Sequence, residues 1–256
     1  MDLYLKKKIV LISGSSKGIG LAIATNFLEE GSTVILTGRN KKSLLVSRNF
    51  LSEKYQNKQL HSEVVDFTNE KSVERLKIKI IKKFKKIDIV VANVGSGKGY
   101  DLPILNKKKW IKSWDLNFNS ALNTSRIFIP LLEKSKGSLL YISSIAGLEV
   151  IGAPVEYSTA KFALIALAKN LSKKYSKNVR INVIAPGNIF FKDGTWDKKI
   201  KQNSKFVKKL IKETVPMNKF GDPTDISSAS VFLCSSKAKF ITGSVLVIDG
   251  GQTSTI

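Results

Sequence analysis

The chain has one cysteine, Cys234, and one histidine, His61. A lone cysteine excludes an internal disulfide, and with a single histidine it argues against a metal site of the structural zinc kind. Triads that need a catalytic histidine are excluded unless His61 serves, which leaves chemistry by Ser, Tyr, Lys, Asp or Glu. No uninterrupted apolar run approaches the ~20 residues of a membrane-spanning helix, so no membrane association is expected. Residues 1–12 carry lysines before a short apolar run that leads straight into a glycine-rich turn. They read as a first strand and not as a signal peptide, and a cytoplasmic location is expected. Acidic residues are few, 20 against 43 basic ones, for a net charge of +23. Arginine is scarce too, with five among those 43. Nucleic-acid recognition favours arginine forks and a recognisable module, so no specific nucleic-acid partner is expected. The lysines are spread from Lys6 to Lys239 and read as a solvated coat.

What is present is the composition of a folded chain: 256 residues, 43% of them hydrophobic. No repeat, low-complexity tract or linker divides it. Short, nearly continuous apolar runs at 8–13, 33–37, 63–67, 87–92, 138–143, 179–185 and 244–249 read as strands. Longer amphipathic stretches at 19–30, 69–84, 106–132, 157–175 and 225–235 read as helices between them. This alternation predicts one doubly wound α/β domain over 1–256, with a mainly parallel sheet of about seven strands. Residues 193–213 interrupt the alternation and read as an extra helix within a small lid spanning about 188–215. In such sheets, ligands bind beyond the carboxyl ends of the strands, so the residues just after each strand carry the functional information.

After the first strand stands Ser13-Gly14-Ser15-Ser16-Lys17-Gly18-Ile19-Gly20, opening a helix. Glycines let a phosphate approach the backbone, and the N–H groups at a helix start favour a diphosphate. Gly14, Ser16, Lys17, Gly18, Ile19 and Gly20 are therefore candidate cofactor-binding residues. The second strand ends in Thr37-Gly38-Arg39-Asn40, with no Asp or Glu to bond an adenosine ribose 2′-hydroxyl. Arg39 and Lys17 suit a 2′-phosphate, which favours NADP(H), with NAD(H) the alternative.

The ordered set of marks resembles the short-chain dehydrogenase/reductase family over nearly the whole chain. It comprises Gly14-x-x-x-Gly18-Ile19-Gly20, Asp66, Ala92-Asn93-Val94-Gly95, Asn117, Ser144, Tyr157-x-x-x-Lys161, Pro186-Gly187 and Asp249-Gly250-Gly251. The resemblance implies a Rossmann-type domain and interconversion of a carbonyl and a secondary alcohol by hydride transfer. Tyr157 and Lys161, four apart, share a helix face. A free tyrosine titrates at about 10, and a nearby ammonium is expected to lower that value. The resemblance makes Tyr157 the acid/base, Ser144 the group that orients the substrate oxygen, Lys161 a ribose contact and Asn117 the holder of a proton-relay water. A second reading of Asn117 is an amide bonding within a helix kink. Asp66 resembles the adenine contact, with a strand-end turn former as its other reading; Asn93 and Gly95 resemble the segment along which the cofactor lies, and Pro186, Gly187 and Ile189 the stretch beside the nicotinamide. The family pattern often has a threonine five residues after this proline, bonding the carboxamide. Phe191 stands there, with Asn188 and Thr195 the nearby polar side chains.

The pocket wall is expected from residues after Gly95, from 145–156 and from 188–213, with Glu149, Val150, Ile151, Glu156, Phe190, Phe191 and Trp196 as candidates. The overall likeness is to members that reduce 3-oxoacyl thioesters, so the expected substrate is a small carbonyl or alcohol compound or an acyl thioester. The resemblance also implies a homotetramer or homodimer, and Trp110 and Trp114 read as core or subunit packing. Two other functions stay open: an NAD(H)-dependent alcohol or sugar dehydrogenase, and a non-catalytic nucleotide-binding regulator on the same fold.

Overall fold

The computed structural model describes residues 2–97 and 106–254. Among these residues seven strands form one sheet, and every pairing in it is parallel. They are β1 (Ile9–Ile12), β2 (Thr33–Gly38), β3 (Leu60–Val64), β4 (Ile89–Ala92), β5 (Ser138–Ile142), β6 (Arg180–Pro186) and β7 (Val245–Ile248). Their spatial order is β3-β2-β1-β4-β5-β6-β7. The chain winds outward from β1 through β2 to β3, then returns to β4 on the other side of β1. The switch point lies between β1 and β4, where Ile12 is in register with Val91. That is where a doubly wound sheet opens its ligand crevice.

The central strands are apolar on both faces because helices cover both. Residues alternate between the two cores as strand geometry requires. Leu11, Ile35, Val90, Leu139, Tyr141 and Ile181 pack with α3 (Glu70–Phe84), α5 (Ser120–Ser135) and α6 (Val155–Tyr175). Val10, Ile12, Val34, Leu36, Val91 and Leu140 pack with α1 (Gly18–Glu29), α2 (Lys41–Ser52) and α9 (Pro223–Cys234). No helix among the described residues is long and apolar enough to cross a membrane.

Four expectations from sequence are corrected. The third strand is Leu60–Val64, earlier than 63–67. Val65 and Phe67 are buried without belonging to it, and their apolarity mimics a strand. Asp66 therefore lies past the strand end. A helix at Lys41–Ser52 was not expected, because its buried stripe is only Leu44, Ser47 and Leu51. The stretch 106–132 is not one helix: α4 (Lys107–Trp114) passes through a π-helical turn, Asp115–Asn119, into α5. The single extra helix expected at 193–213 is two, α7 (Thr195–Gln202) and α8 (Ser204–Thr214), separated by Asn203, whose side chain caps α8. Val207, Ile211 and Val215 bury a small core of their own against Trp196, Ile200 and Phe220.

Candidate active site

The glycine-rich turn leaves β1 at the switch point. Gly14 and Gly18 have positive φ, +65° and +57°, a region where other residues are strained. A Cβ at Gly20 would overlap the Gly14 carbonyl oxygen and stand 2.6 Å from Asn93 Nδ2, so only glycine fits this packing. The turn is stitched to the loop after β4. Ser13 Oγ accepts hydrogen bonds from the N–H groups of Asn93 (2.8 Å) and Val94 (3.2 Å). Asn93 Nδ2 in turn donates to the carbonyls of Ser13 and Gly14, both at 3.0 Å. Ser47 Oγ holds the Ser16 carbonyl at 2.6 Å.

The helix starts among the described residues are of two kinds. Asn40, Asn69, Asn106, Asn203 and Asp222 each accept from a backbone N–H at the start of α2, α3, α4, α8 and α9. Lys17, at the start of α1, makes no such bond, as Asn119, Pro154 and Gly194 make none at α5, α6 and α7; unlike α6 and α7, the first turn of α1 also holds no acidic residue. Its N–H groups and positive dipole end fit an anion. The chain therefore fits the diphosphate of a dinucleotide at residues 14–20. Arg39, just past β2, is exposed. Lys17 Nζ lies 3.4 Å from the Asp193 carbonyl oxygen.

Asp66, beyond β3, accepts from the backbone N–H and hydroxyl of Thr68 at 2.9 and 2.8 Å. Beyond β6, the Gly187 N–H donates to the Ile248 carbonyl, and a Cβ at Gly187 would stand 2.7 Å from Asp249. Ile189 is buried and bridges Gly221. Asn188 is engaged with Gln252 at 2.9 Å. Phe190 and Trp196 both pack on Phe220. Val150 is fully exposed, beside a groove of about 500 Å³ that runs from residues 149–151 to the end of α8. Part of the segment expected after Gly95 as pocket wall, 98–105, lies outside the described residues.

The second corner lies after β5. Ser144 Oγ accepts from the Ala146 N–H at 3.1 Å, which aims the serine out of the strand end. Tyr157 and Lys161 lie near the start of α6. The Lys161 ammonium is buried, donates to the Ile142 carbonyl at 3.0 Å, and stands 5.8 Å from the centre of the Tyr157 ring. Ser143 Oγ donates to the Lys161 carbonyl at 3.0 Å, tying α6 to the strand end. Asn117 sits in the π-helical turn and is buried. Its Oδ1 accepts from the Ser96 N–H at 2.8 Å, and its Nδ2 donates to the carbonyls of Ser113 (3.0 Å) and Ser96 (3.2 Å). The amide bonds within the kinked helix, as the second reading of Asn117 expects, and ties it to the loop after β4. A Cβ at Gly95 would stand 2.9 Å from Asn117 Oδ1 and from Lys161 Nζ, and one at Gly97 would stand 3.8 Å from Tyr157 Cζ. Ser96, Ser113 and Gly97 were not anticipated, since nothing in their local sequence signals a contact that only the loop after β4 creates.

Electrostatics corrects one expectation. The Tyr157 pKa is raised, because burial of the phenolate outweighs the hydrogen bond from Ser144 that favours it. Burial also lowers Lys161 from its ordinary 10.5 to about 8. The neighbouring lysine thus does not bring the tyrosine below its ordinary value. At neutral pH the tyrosine is held as the phenol, a proton donor.

The family model described as "Enoyl-(Acyl carrier protein) reductase" matches residues 14–253. A 3-oxoacyl-[acyl-carrier-protein] reductase FabG of Chlamydia muridarum is 33% identical over 254 residues, 98% of this chain and 100% of that protein. The L-sorbose reductase of Gluconobacter frateurii, solved with NADPH and L-sorbose, superposes with a TM-score of 0.93 at 29% identity, covering 100% of both chains. A 7α-hydroxysteroid dehydrogenase solved with NADH and 7-oxo glycochenodeoxycholic acid gives 0.87 at 28% identity, covering 99% and 97%. The likeness thus runs from the glycine-rich turn to the last strand in both sequence and architecture, and the chain belongs to the short-chain dehydrogenases/reductases, NAD(P)-dependent oxidoreductases acting on CH–OH or carbonyl groups.

Proposed function

We propose that this protein is an NADP(H)-dependent reductase that converts a carbonyl to a secondary alcohol, in one domain with 188–215 as its lid. The observation that carries the reading is the convergence of Ser144, Tyr157 and Lys161 beyond β5, one crevice away from the uncapped start of α1. A bound reduced nicotinamide supplies the hydride. The Ser144 hydroxyl donates to the substrate oxygen and holds it beside Tyr157. Tyr157, kept protonated by burial, gives its proton to that oxygen as charge develops on it. The fixed Lys161 ammonium contributes its positive charge to the same corner, and Asn117 keeps the π-helical turn and the loop after β4 around it. Gly14, Ser16, Lys17, Gly18, Ile19 and Gly20 hold the diphosphate, with Asp66, Asn93, Gly95, Pro186, Gly187 and Ile189 along the rest of the cofactor.

The preference for NADP(H) rests on Arg39, exposed past β2 where no carboxylate stands within residues 37–42. The overall likeness to 3-oxoacyl thioester reductases supports a thioester substrate. The test is turnover with NADPH and NADH separately across 3-oxoacyl thioesters, ketones, aldehydes and keto-sugars. NADPH is expected to be preferred, and Arg39→Asp to erase that preference. Equal use of both cofactors with an indifferent Arg39→Asp variant overturns the NADP(H) assignment.

A further inference from the structure

One side chain lies against the start of the diphosphate cradle. The Phe191 ring stands where a Cβ on Gly18 would be, with Cε2 and Cζ each 2.7 Å from that position. Gly194 lies against the same ring edge, its Cβ position 2.9 Å from the same Cε2. Two glycines thus form a slot for one aromatic ring, at the position where the family pattern often has a small hydroxyl residue.

The ring is held there by its own segment. Before it, the Phe190 N–H donates to the Gly221 carbonyl and the Gly221 N–H to the Asn188 carbonyl, both at 2.9 Å. After it, the Gly194 N–H donates back to the Phe191 carbonyl at 3.0 Å. Asp193, at φ +61°, donates its N–H to Asp197 Oδ2 at 2.9 Å. Asp197 is anchored by Lys201 at 2.8 Å. Lys17, within the turn, reaches the Asp193 carbonyl and closes the hook onto the cradle.

Gly18 is the first residue of α1, whose free N–H groups are what an anion would use there. The ring edge, 2.7 Å from the Cβ position of this glycine, borders the space in front of the helix start that a diphosphate would enter. We propose that Phe191 sets dinucleotide affinity by competing with the cofactor diphosphate for the face of Gly18, so that binding requires the ring to swing out. The proposal rests on the reading of residues 14–20 as the diphosphate cradle. When the competent state is only partly populated, apparent affinity falls by that fraction. Removing the ring removes the competition.

The experiment is calorimetric titration of the full chain with NADP⁺ and, separately, inorganic pyrophosphate, for wild type, Phe191→Leu and Phe191→Ala. Stopped-flow association and ligand-free hydrogen exchange accompany it. Phe191→Ala is expected to bind both probes about three- to tenfold more tightly and to associate faster, with Phe191→Leu between. Without ligand, its amides at 17–19 and 190–194 should exchange faster than in wild type. Weaker binding by both variants overturns the proposal and makes the ring a platform for the bound dinucleotide. Unchanged exchange at 17–19 overturns the contact itself. If wild type binds no dinucleotide, the reading of the cradle fails with it, and the exchange data still report whether the ring covers Gly18. The leucine variant preserves an apolar filling if alanine proves too loose to fold.

Discussion

Two corners at the same carboxyl edge of the sheet are built on opposite plans. Around the end of β5 the candidate catalytic groups are side chains whose polar atoms are matched within the protein. Lys161 bonds the Ile142 carbonyl, Asn117 bonds Ser96 and Ser113, and Ser144 accepts from Ala146. Beyond β1 the candidate groups are backbone. The turn is immobilised by Ser13, Asn93 and Ser47, yet the start of α1, like those of α5, α6 and α7, carries no side-chain cap, and it holds no acidic residue. The first plan suits proton transfer, which needs side chains of chosen protonation held in place. The second suits a polyanion, which needs many N–H groups and no competing carboxylate.

The comparison can be strained at four points. The largest effect is expected at Lys161. Its folded pKa of about 8 lies below its ordinary 10.5, so the unfolded chain holds that proton more tightly. The charged lysine therefore burdens the fold below pH 8, and the burden lifts as pH rises toward 10.5, by up to about 3 kcal/mol. Cys234, pushed up by burial to about 12 from 9.0, acts in the opposite sense above pH 9. Denaturant unfolding of wild type against Lys161→Met from pH 7 to 10 cancels that term. Wild type should gain on the variant across the range.

Next, Gly95→Ala drives a methyl group against Asn117 Oδ1 and Lys161 Nζ. It is expected to lower kcat about 10²-fold, on the scale of losing one positioned proton-transfer group, while dinucleotide Kd changes little. The mirror substitution is Gly18→Ala, which forces alanine into left-handed backbone at about 1–2 kcal/mol. There the loss should fall on dinucleotide Kd, with the Tyr157 corner intact. Smallest is Asp222→Ala, which removes the capping box of α9. About 1 kcal/mol of stability should go, read from the denaturation midpoint, with no change in dinucleotide affinity. A comparable change in affinity would show that capped and uncapped starts are not functionally distinct.

The two corners also differed in how far they could be read from sequence. The glycine spacing and the Tyr157-x-x-x-Lys161 step are local patterns, and both fall where expected on the fold. So does the alternation of strands and helices, because continuously apolar strands are what a doubly covered sheet needs. Errors came where burial and local structure part company. Val65 and Phe67 are core residues outside any strand, and α2 buries a serine in its stripe. The break between α4 and α5 leaves no mark on apolar spacing. Desolvation raises the Tyr157 pKa, and desolvation, unlike neighbour type, is not visible in sequence. Ser96, Gly97 and the seat of Phe191 depend on contacts between loops far apart in the chain, which spacing cannot show.

The central claim is that Tyr157 donates the proton in a nicotinamide-dependent carbonyl reduction. The direct measurement is single-turnover reduction by Tyr157→Phe, with dinucleotide Kd measured on the same preparation. The account predicts a rate lower by ~10²–10⁴-fold with Kd within about twofold of wild type, since the phenol acts on the substrate oxygen and the cradle is elsewhere. A variant that keeps its rate contradicts the assignment of Tyr157.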